Sequence, residues 1–173
     1  MIKKALRATA WGVNIVALCT MVGIGAFHYT EAHAEQAIMN LGEEEIHCLR
    51  QNIYFEAGNQ SILGKRAVAW VTLNRVVDNR YPDSICGVVW QKRAFSWTED
   101  GKPDVPLDNV LEQQAWQSSG EIATEVLKNW IKNESDPTVG ANHFHADYVQ
   151  PFWADVKYKT VTIDDHIFYN LRW

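Results

Sequence analysis

The sequence contains no Gly-x-Ser-x-Gly element and no His-Glu-x-x-His helix, so the usual local signatures of a serine esterase and of a zinc peptidase are both missing. It has no internal repeat and no low-complexity tract, which argues against a solenoid or an array of small binding modules. An excess of basic charge is also lacking: 16 Lys and Arg stand against 21 Asp and Glu, a formal charge of −5. Nucleic acid is therefore not an expected partner. Cysteine is scarce, at three in 173 residues, and neither the thiols nor Ser118-Ser119 form a nucleophile motif. Apolar material is plentiful. A content of 47% hydrophobic and 12% aromatic residues is ample for one packed domain and excludes disorder as the default.

Charge is absent from one stretch in particular. Lys3, Lys4 and Arg7 precede an uncharged run over 8–27 rich in Val, Ile, Leu, Ala and Gly, the layout of an export signal. Ala32-His33-Ala34 presents small residues where a signal peptidase reads, and cleavage after Ala34 is the favoured expectation. The alternative is an uncleaved anchor in the inner membrane, weakly held because Thr9, Gly12, Asn14, Thr20, Gly23 and Gly25 interrupt the run. Removing residues 1–34 takes three basic residues and one acidic residue from those totals, leaving 13 against 20 and a formal charge of −7. Cys19 lies in the export segment, so Cys48 and Cys86 remain as an even pair in a chain bound for an oxidising compartment. A disulfide between them is expected, with two separately buried thiols as the other possibility.

The composition changes sharply only near residue 35, and a single domain is expected over 35–173. Ile46, Leu49, Ile53 and Ala57 recur at spacings of three and four behind Glu43, Glu44 and Glu45, predicting a first helix over 43–57 with acids where the helix dipole favours them. Gly58-Asn59 suits a left-handed helix end. Ser61 can cap a second helix to about residue 77, ended by Asp78-Asn79-Arg80-Tyr81-Pro82. A short apolar piece follows over 85–90, then a loop over 95–106. A third helical unit spans about 107–133, with a break near Gln117 suggested by the capping-box spacing of Ser118 and Glu121. Beyond Ala141, Phe144, Tyr148, Val149, Val161, Ile163, Ile167 and Phe168 sit among β-formers and suggest short strands. The expected class is α+β, mostly helical, with a small strand region near the C-terminus.

Glu56 lies at the end of the first helix between Tyr54-Phe55 and Ala57-Gly58. A carboxyl there can lie against apolar surface, where desolvation raises its pKa and lets it hold a proton for a leaving oxygen. The plainer reading is a solvated Glu near a helix end.

Six separated blocks bear on that choice: CLRQNIYFEAGNQ (48–60), GKRAVAWVTLNRV (64–76), YPDSICGVVWQ (81–91), FSWTEDG (95–101), TVGANHFHA (138–146) and DHIFYN (165–170). In order and spacing they resemble the SleB and CwlJ type of cell-wall hydrolase, the family of spore cortex-lytic enzymes, over about residues 45–170. The resemblance implies a lysozyme-like fold related to lytic transglycosylases, acting on the β-1,4 bond between N-acetylmuramic acid and N-acetylglucosamine of peptidoglycan glycan strands. It also implies that Glu56 is the catalytic glutamate. The family often has Arg where this chain has Gly58, so any role of that arginine does not carry over. No cofactor is implied. A second carboxylate is not evident, although Glu99, Asp100 and Asp104 are available. A transglycosylase needs one acid alone, so a 1,6-anhydro product is preferred to simple hydrolysis.

Sugar rings stack on flat aromatic faces and need polar partners for their hydroxyls. Tyr54, Trp97 and Tyr169 are the candidate stacking residues, with Ser96 and Asn142 as hydrogen-bonding partners; each aromatic can equally be core. His143 and His145 alternate with Phe144, so on a strand they share a face. The resemblance implies that they line the floor near Glu56. A zinc amidase or peptidase using them with His47 or His166 is the competing enzyme class, and a non-catalytic peptidoglycan-binding module is a third. A monomeric one-domain lytic enzyme with its own export signal also suits a phage endolysin.

Overall fold

In the computed structural model, which describes residues 22–172, helices α1 (Val22–Leu41), α2 (Glu43–Ala57), α3 (Ile62–Val77), α4 (Ile85–Val89) and α5 (Val110–Ile131) precede strands β1 (His143–Ala146), β2 (Lys159–Ile163) and β3 (His166–Tyr169). This is the expected mostly helical α+β class. The uncharged run over 8–21, with Cys19, lies outside the described residues. Among those described, no helix is long and apolar enough to cross a membrane.

Helix α2 begins after Gly42, at φ 92°, with its three glutamates in the first turn. It buries Leu49, Ile53 and Ala57, the stripe its spacing predicts, together with Cys48 and Asn52. Its end differs from expectation: Gly58 has φ −56° and ψ −33°, right-handed rather than left-handed. What restricts position 58 is close approach, since a Cβ there would lie 2.5 Å from the Tyr54 carbonyl oxygen. Ser61 caps α3 as expected, its hydroxyl accepting from the Gly64 N–H at 3.2 Å. Val68, Val71, Leu73 and Val76 of α3 are fully buried, because this helix is enclosed by α2, α4, α5 and β2. A helix apolar on nearly every side belongs at the centre of a fold.

Helix α5 runs without the break anticipated near Gln117. Asn109 provides its cap by accepting from the Glu112 N–H, so Ser118 is interior, Gln117 pairs with Glu121 one turn on, and the Ser119 hydroxyl bonds back to the Ala115 carbonyl at 2.8 Å. At Gly120 the helix meets α2: a Cβ there would lie 3.0 Å from Nε of Arg50. Cys48 of α2 and Cys86 of α4 are joined by a disulfide, with Cα atoms 5.2 Å apart.

The strands form an antiparallel sheet in the order β1-β3-β2. Phe144 pairs with Phe168 across the ladder and packs against both clusters of core residues, one centred on the helices and one on Val71, Ala141, Ile163 and Phe168. Tyr148 and Val149 fall in a loop, not a strand; Pro151 lacks the N–H a ladder needs.

Helix α1 passes through Ala32-His33-Ala34 and docks on α5. Ala34 is fully buried and Ile38 joins the core, while Glu31 pairs with Lys132 and Glu35 with Lys128.

Candidate active site

Glu56 lies at the end of α2, and Arg75, near the end of α3, links it to the turn beyond that helix and to the chain entering β1. Glu56 is half-buried, and its carboxyl makes no hydrogen bond with any described residue. Burial pushes its pKa up from 4.5 to about 7, against the opposing field of the Arg75 guanidinium. The raised pKa matches the reason for singling out this residue: a carboxyl in a poorly solvated place retains its proton near neutrality.

Arg75 lies near the end of α3 and is only 6% exposed. Its Nε donates to the Asn142 carbonyl at 2.7 Å, and its guanidinium lies 5.0 Å from the Phe95 ring centre and 5.5 Å from that of Tyr81. Asn74, one position earlier, donates to Asp136 and to the Ala141 carbonyl. Consecutive residues of α3 thus hold the chain entering β1.

Asn142 is 4% exposed. Its Nδ2 donates to the Leu171 carbonyl and its Oδ1 accepts the Leu171 N–H, both at 2.9 Å. The same oxygen meets His143 Nδ1 at 2.9 Å. Since that oxygen already accepts a backbone N–H, the proton of a neutral His143 belongs on Nδ1 and the lone pair on Nε2. Neutrality is assured, because burial, then Arg75 and Arg80, lower the His143 pKa to about 4. Asn142 therefore clamps the C-terminal segment and orients His143. Asn142→Ala is expected to destabilise the fold by about 2–3 kcal/mol, by stranding buried backbone groups; denaturant melts would measure it.

His143 and His145 do share a face of β1, as alternation predicts. Trp153 lies against both, with ring centres at 5.2 and 5.5 Å. Tyr169, opposite His143 in the register, stacks on His145 at 5.3 Å and its hydroxyl meets His145 Nε2 at 3.1 Å. Asn142, His143, His145 and Tyr169 are thus brought together. Tyr54 and Trp97 are not part of that group. Tyr54, two residues from Glu56 on one helix and so turned away from it, is buried beside Phe55 and Trp116 and donates to Glu112. Trp97 is buried, stacks on Phe55 at 4.6 Å and donates Nε1 to Asn52. It fastens the loop over 95–106 to the end of α2, leaving Ser96 exposed.

Neither His47 nor His166, the candidates for a third metal ligand, joins His143 and His145 on their face of β1. His47 packs edge-on to Trp116, and His166 lies on the core side of the sheet against Phe144. Among the described residues no three His, Cys, Asp or Glu side chains are placed to hold a metal ion together. Arg75, Tyr81 and Trp153 are site residues not singled out from the sequence, the first two lying inside the blocks 64–76 and 81–91 and the third outside every block. The available signal was an arginine just after the mostly apolar stretch 67–73 of the second block.

The fold is a mostly helical α+β domain, and it holds a desolvated glutamate within the field of an arginine. The chain belongs to the cell wall hydrolase family, whose model matches residues 59–169. That match begins three residues beyond Glu56. The spore cortex-lytic enzyme of Halalkalibacterium halodurans is 28% identical over 144 residues, covering 81% of this chain and 40% of that protein. Its Bacillus cereus counterpart is 29% identical over 127 residues, covering 73% and 44%. The chain therefore spans less than half the length of these relatives. Among solved structures, the catalytic domain of the Bacillus cereus SleB protein superposes with a TM-score of 0.60 at 25% identity, over 75% of this chain and 91% of that domain. The catalytic domain of the germination-specific lytic transglycosylase SleB from Bacillus anthracis gives a TM-score of 0.55 at 26% identity, over 75% and 96%.

Proposed function

We propose that this protein cleaves the β-1,4 bond between N-acetylmuramic acid and N-acetylglucosamine in peptidoglycan as a lytic transglycosylase, with Glu56 as acid and then base. The observation that carries the reading is the half-buried carboxyl with a pKa near 7, on a domain similar to that of a lytic transglycosylase over 96% of its length. Protonated Glu56 donates to the glycosidic oxygen as the bond to the anomeric carbon breaks. The carboxylate then takes the proton from the 6-hydroxyl of the same muramic residue, whose oxygen closes on that carbon to give the 1,6-anhydro sugar. Hydrolysis with a second carboxylate would need a partner about 5–9.5 Å away. Among the described residues the charged group that shifts Glu56 is Arg75, and a carboxylate that close would add its own upward push. The mass spectrum of fragments released from purified peptidoglycan tests this: anhydro ends are expected, and reducing ends would make the protein a hydrolase.

The enzyme is exported, acts as a monomer and reaches the wall from the outer side of the inner membrane. Residues 1–34 serve as the export segment. A signal peptidase needs its site extended, and docked α1 holds Ala32-His33-Ala34 in a helix with Ala34 buried. Cleavage after Ala34 therefore precedes docking of α1; a chain that docks first stays anchored. An endolysin role, with cytolysis as the outcome, fits either course.

A further inference from the structure

Arg75, whose field acts on Glu56, also borders a cavity of about 320 Å³ together with Gln91, Lys92, Arg93, His143 and Trp153. Its lining includes three cations and no carboxylate, in a chain whose formal charge is −5. Lys92, Arg93 and Arg75 form no salt bridge with any described acid, although Arg75 feels the field of Glu56. Arg75, though 6% exposed, spends only Nε on the protein. Its terminal N–H groups are left for an anion entering the cavity, and a guanidinium so far out of water gains from one. Arg93 adds a separate sign. It sits at φ 62°, in a turn closed by the Ala94 N–H on the Gln91 carbonyl, a backbone region that L side chains adopt at a cost and glycine adopts freely. Strain of this sort gathers at binding sites.

We propose that this cavity binds a carboxylate on the lactyl side of the muramic residue, carried either by the stem peptide or, where the peptide is missing, by the lactyl group itself. The inference rests on the glycan-cleaving reading. N-acetylated sugars carry no charge of their own, so the anions of the polymer lie on the lactyl substituent and its peptide. Arg75 touches both places electrically, shifting Glu56 and lining the cavity. A carboxylate held there sets the muramic residue on the Arg75 side of the acid and the glucosamine beyond it. The pocket therefore selects which of the two alternating glycosidic bonds meets Glu56. Guanidinium groups recognise carboxylates by paired N–H donors, and the size is at the low end for a small-ligand site.

The test measures binding of the full chain carrying Glu56→Gln, in mild detergent, to soluble peptidoglycan fragments of three kinds: with free stem-peptide carboxylates, with the same carboxylates amidated, and with the peptides removed so that lactyl carboxylates are free. Free fragments are expected to bind about tenfold more tightly than amidated ones, and Lys92→Gln with Arg93→Gln is expected to erase the difference. Tight binding of the peptide-free fragments assigns the pocket to the lactyl carboxylate; weak binding assigns it to the peptide. Equal affinity for free and amidated fragments overturns the proposal, as does a preference that survives the double substitution. Arg93→Gly guards against misfolding as an explanation: it relieves the positive φ, so its melting temperature should equal or exceed that of the parent while the preference falls. Activity separates the two levels of inference. An active Glu56 protein that cleaves free and amidated polymer equally well sinks the pocket alone, whereas no cleavage of any polymer sinks the glycan reading and leaves the binding result to decide the pocket.

Discussion

Glu56→Gln is expected to lower glycan cleavage by a factor of about 10²–10⁴, the usual contribution of general acid–base catalysis, while making the folded protein more stable at alkaline pH. Both effects come from one desolvated carboxyl. Glutamine keeps the shape and has no proton to give. For stability, the folded pKa of about 7 lies above the ordinary value of 4.5, so between those values the native state binds more protons than the unfolded chain. Stability of the parent protein therefore falls as pH rises through that window, and the cost is complete above pH 7. The glutamine variant would carry no such cost. Thermal melts should show the variant more stable at pH 8 by about 1–3 kcal/mol, with the two proteins converging near pH 4. Equal stability at both pH values would mean that Glu56 is solvated. Cleavage by the parent should decline above pH 7 as the acid ionises, and full activity of the variant at any pH would place the acid elsewhere.

Opening the Cys48–Cys86 disulfide is the other large effect. The bridge closes a loop spanning 38 positions and ties α2, which carries Glu56, to α4. On the chain-entropy model, a loop of this size stabilises the native state by about 4 kcal/mol through restriction of the unfolded chain. The bridge lies in the principal core beside Leu49 and Ile85, so reduction also loosens packing at the foot of α2. Reductant, or Cys48→Ser with Cys86→Ser, should lower the melting temperature by about ten degrees or more for a domain this size. Activity at low temperature should persist, because Cys48 lies about two turns before Glu56 on α2. Unchanged melting with and without reductant, or free thiols at both positions in protein from an oxidising compartment, would contradict the bridge.

Local features were legible where the chemistry is local. The α2 stripe, the Ser61 cap, the β1 alternation that puts His143 and His145 on one face, and the pairing of the two cysteines outside the export segment all follow from periodicities or counts. The blocks around Glu56 and His143 point to the family to which the chain belongs. Expectation and structure part where two local rules compete. Ser118 and Glu121 have capping-box spacing, yet Asn109 has already started α5, and a helix once begun continues through residues able to propagate it. Gly58 suits a left-handed helix end by residue type, whereas contact with the Tyr54 carbonyl governs that position.

By itself the sequence determined which residues could ionise, cap, alternate or cross-link, and it marked Glu56 as the acid to watch. Only the tertiary structure decided what surrounds each of them. Tyr54 and Trp97 became supports for α2, Asn142 a clamp on Leu171, and Arg75 a buried cation shared by Glu56 and a basic cavity. The reason is that desolvation and Coulomb fields depend on distances between segments far apart in the chain. Arg75 and His143 are 68 positions apart in the sequence, and folding brings them to the border of one cavity.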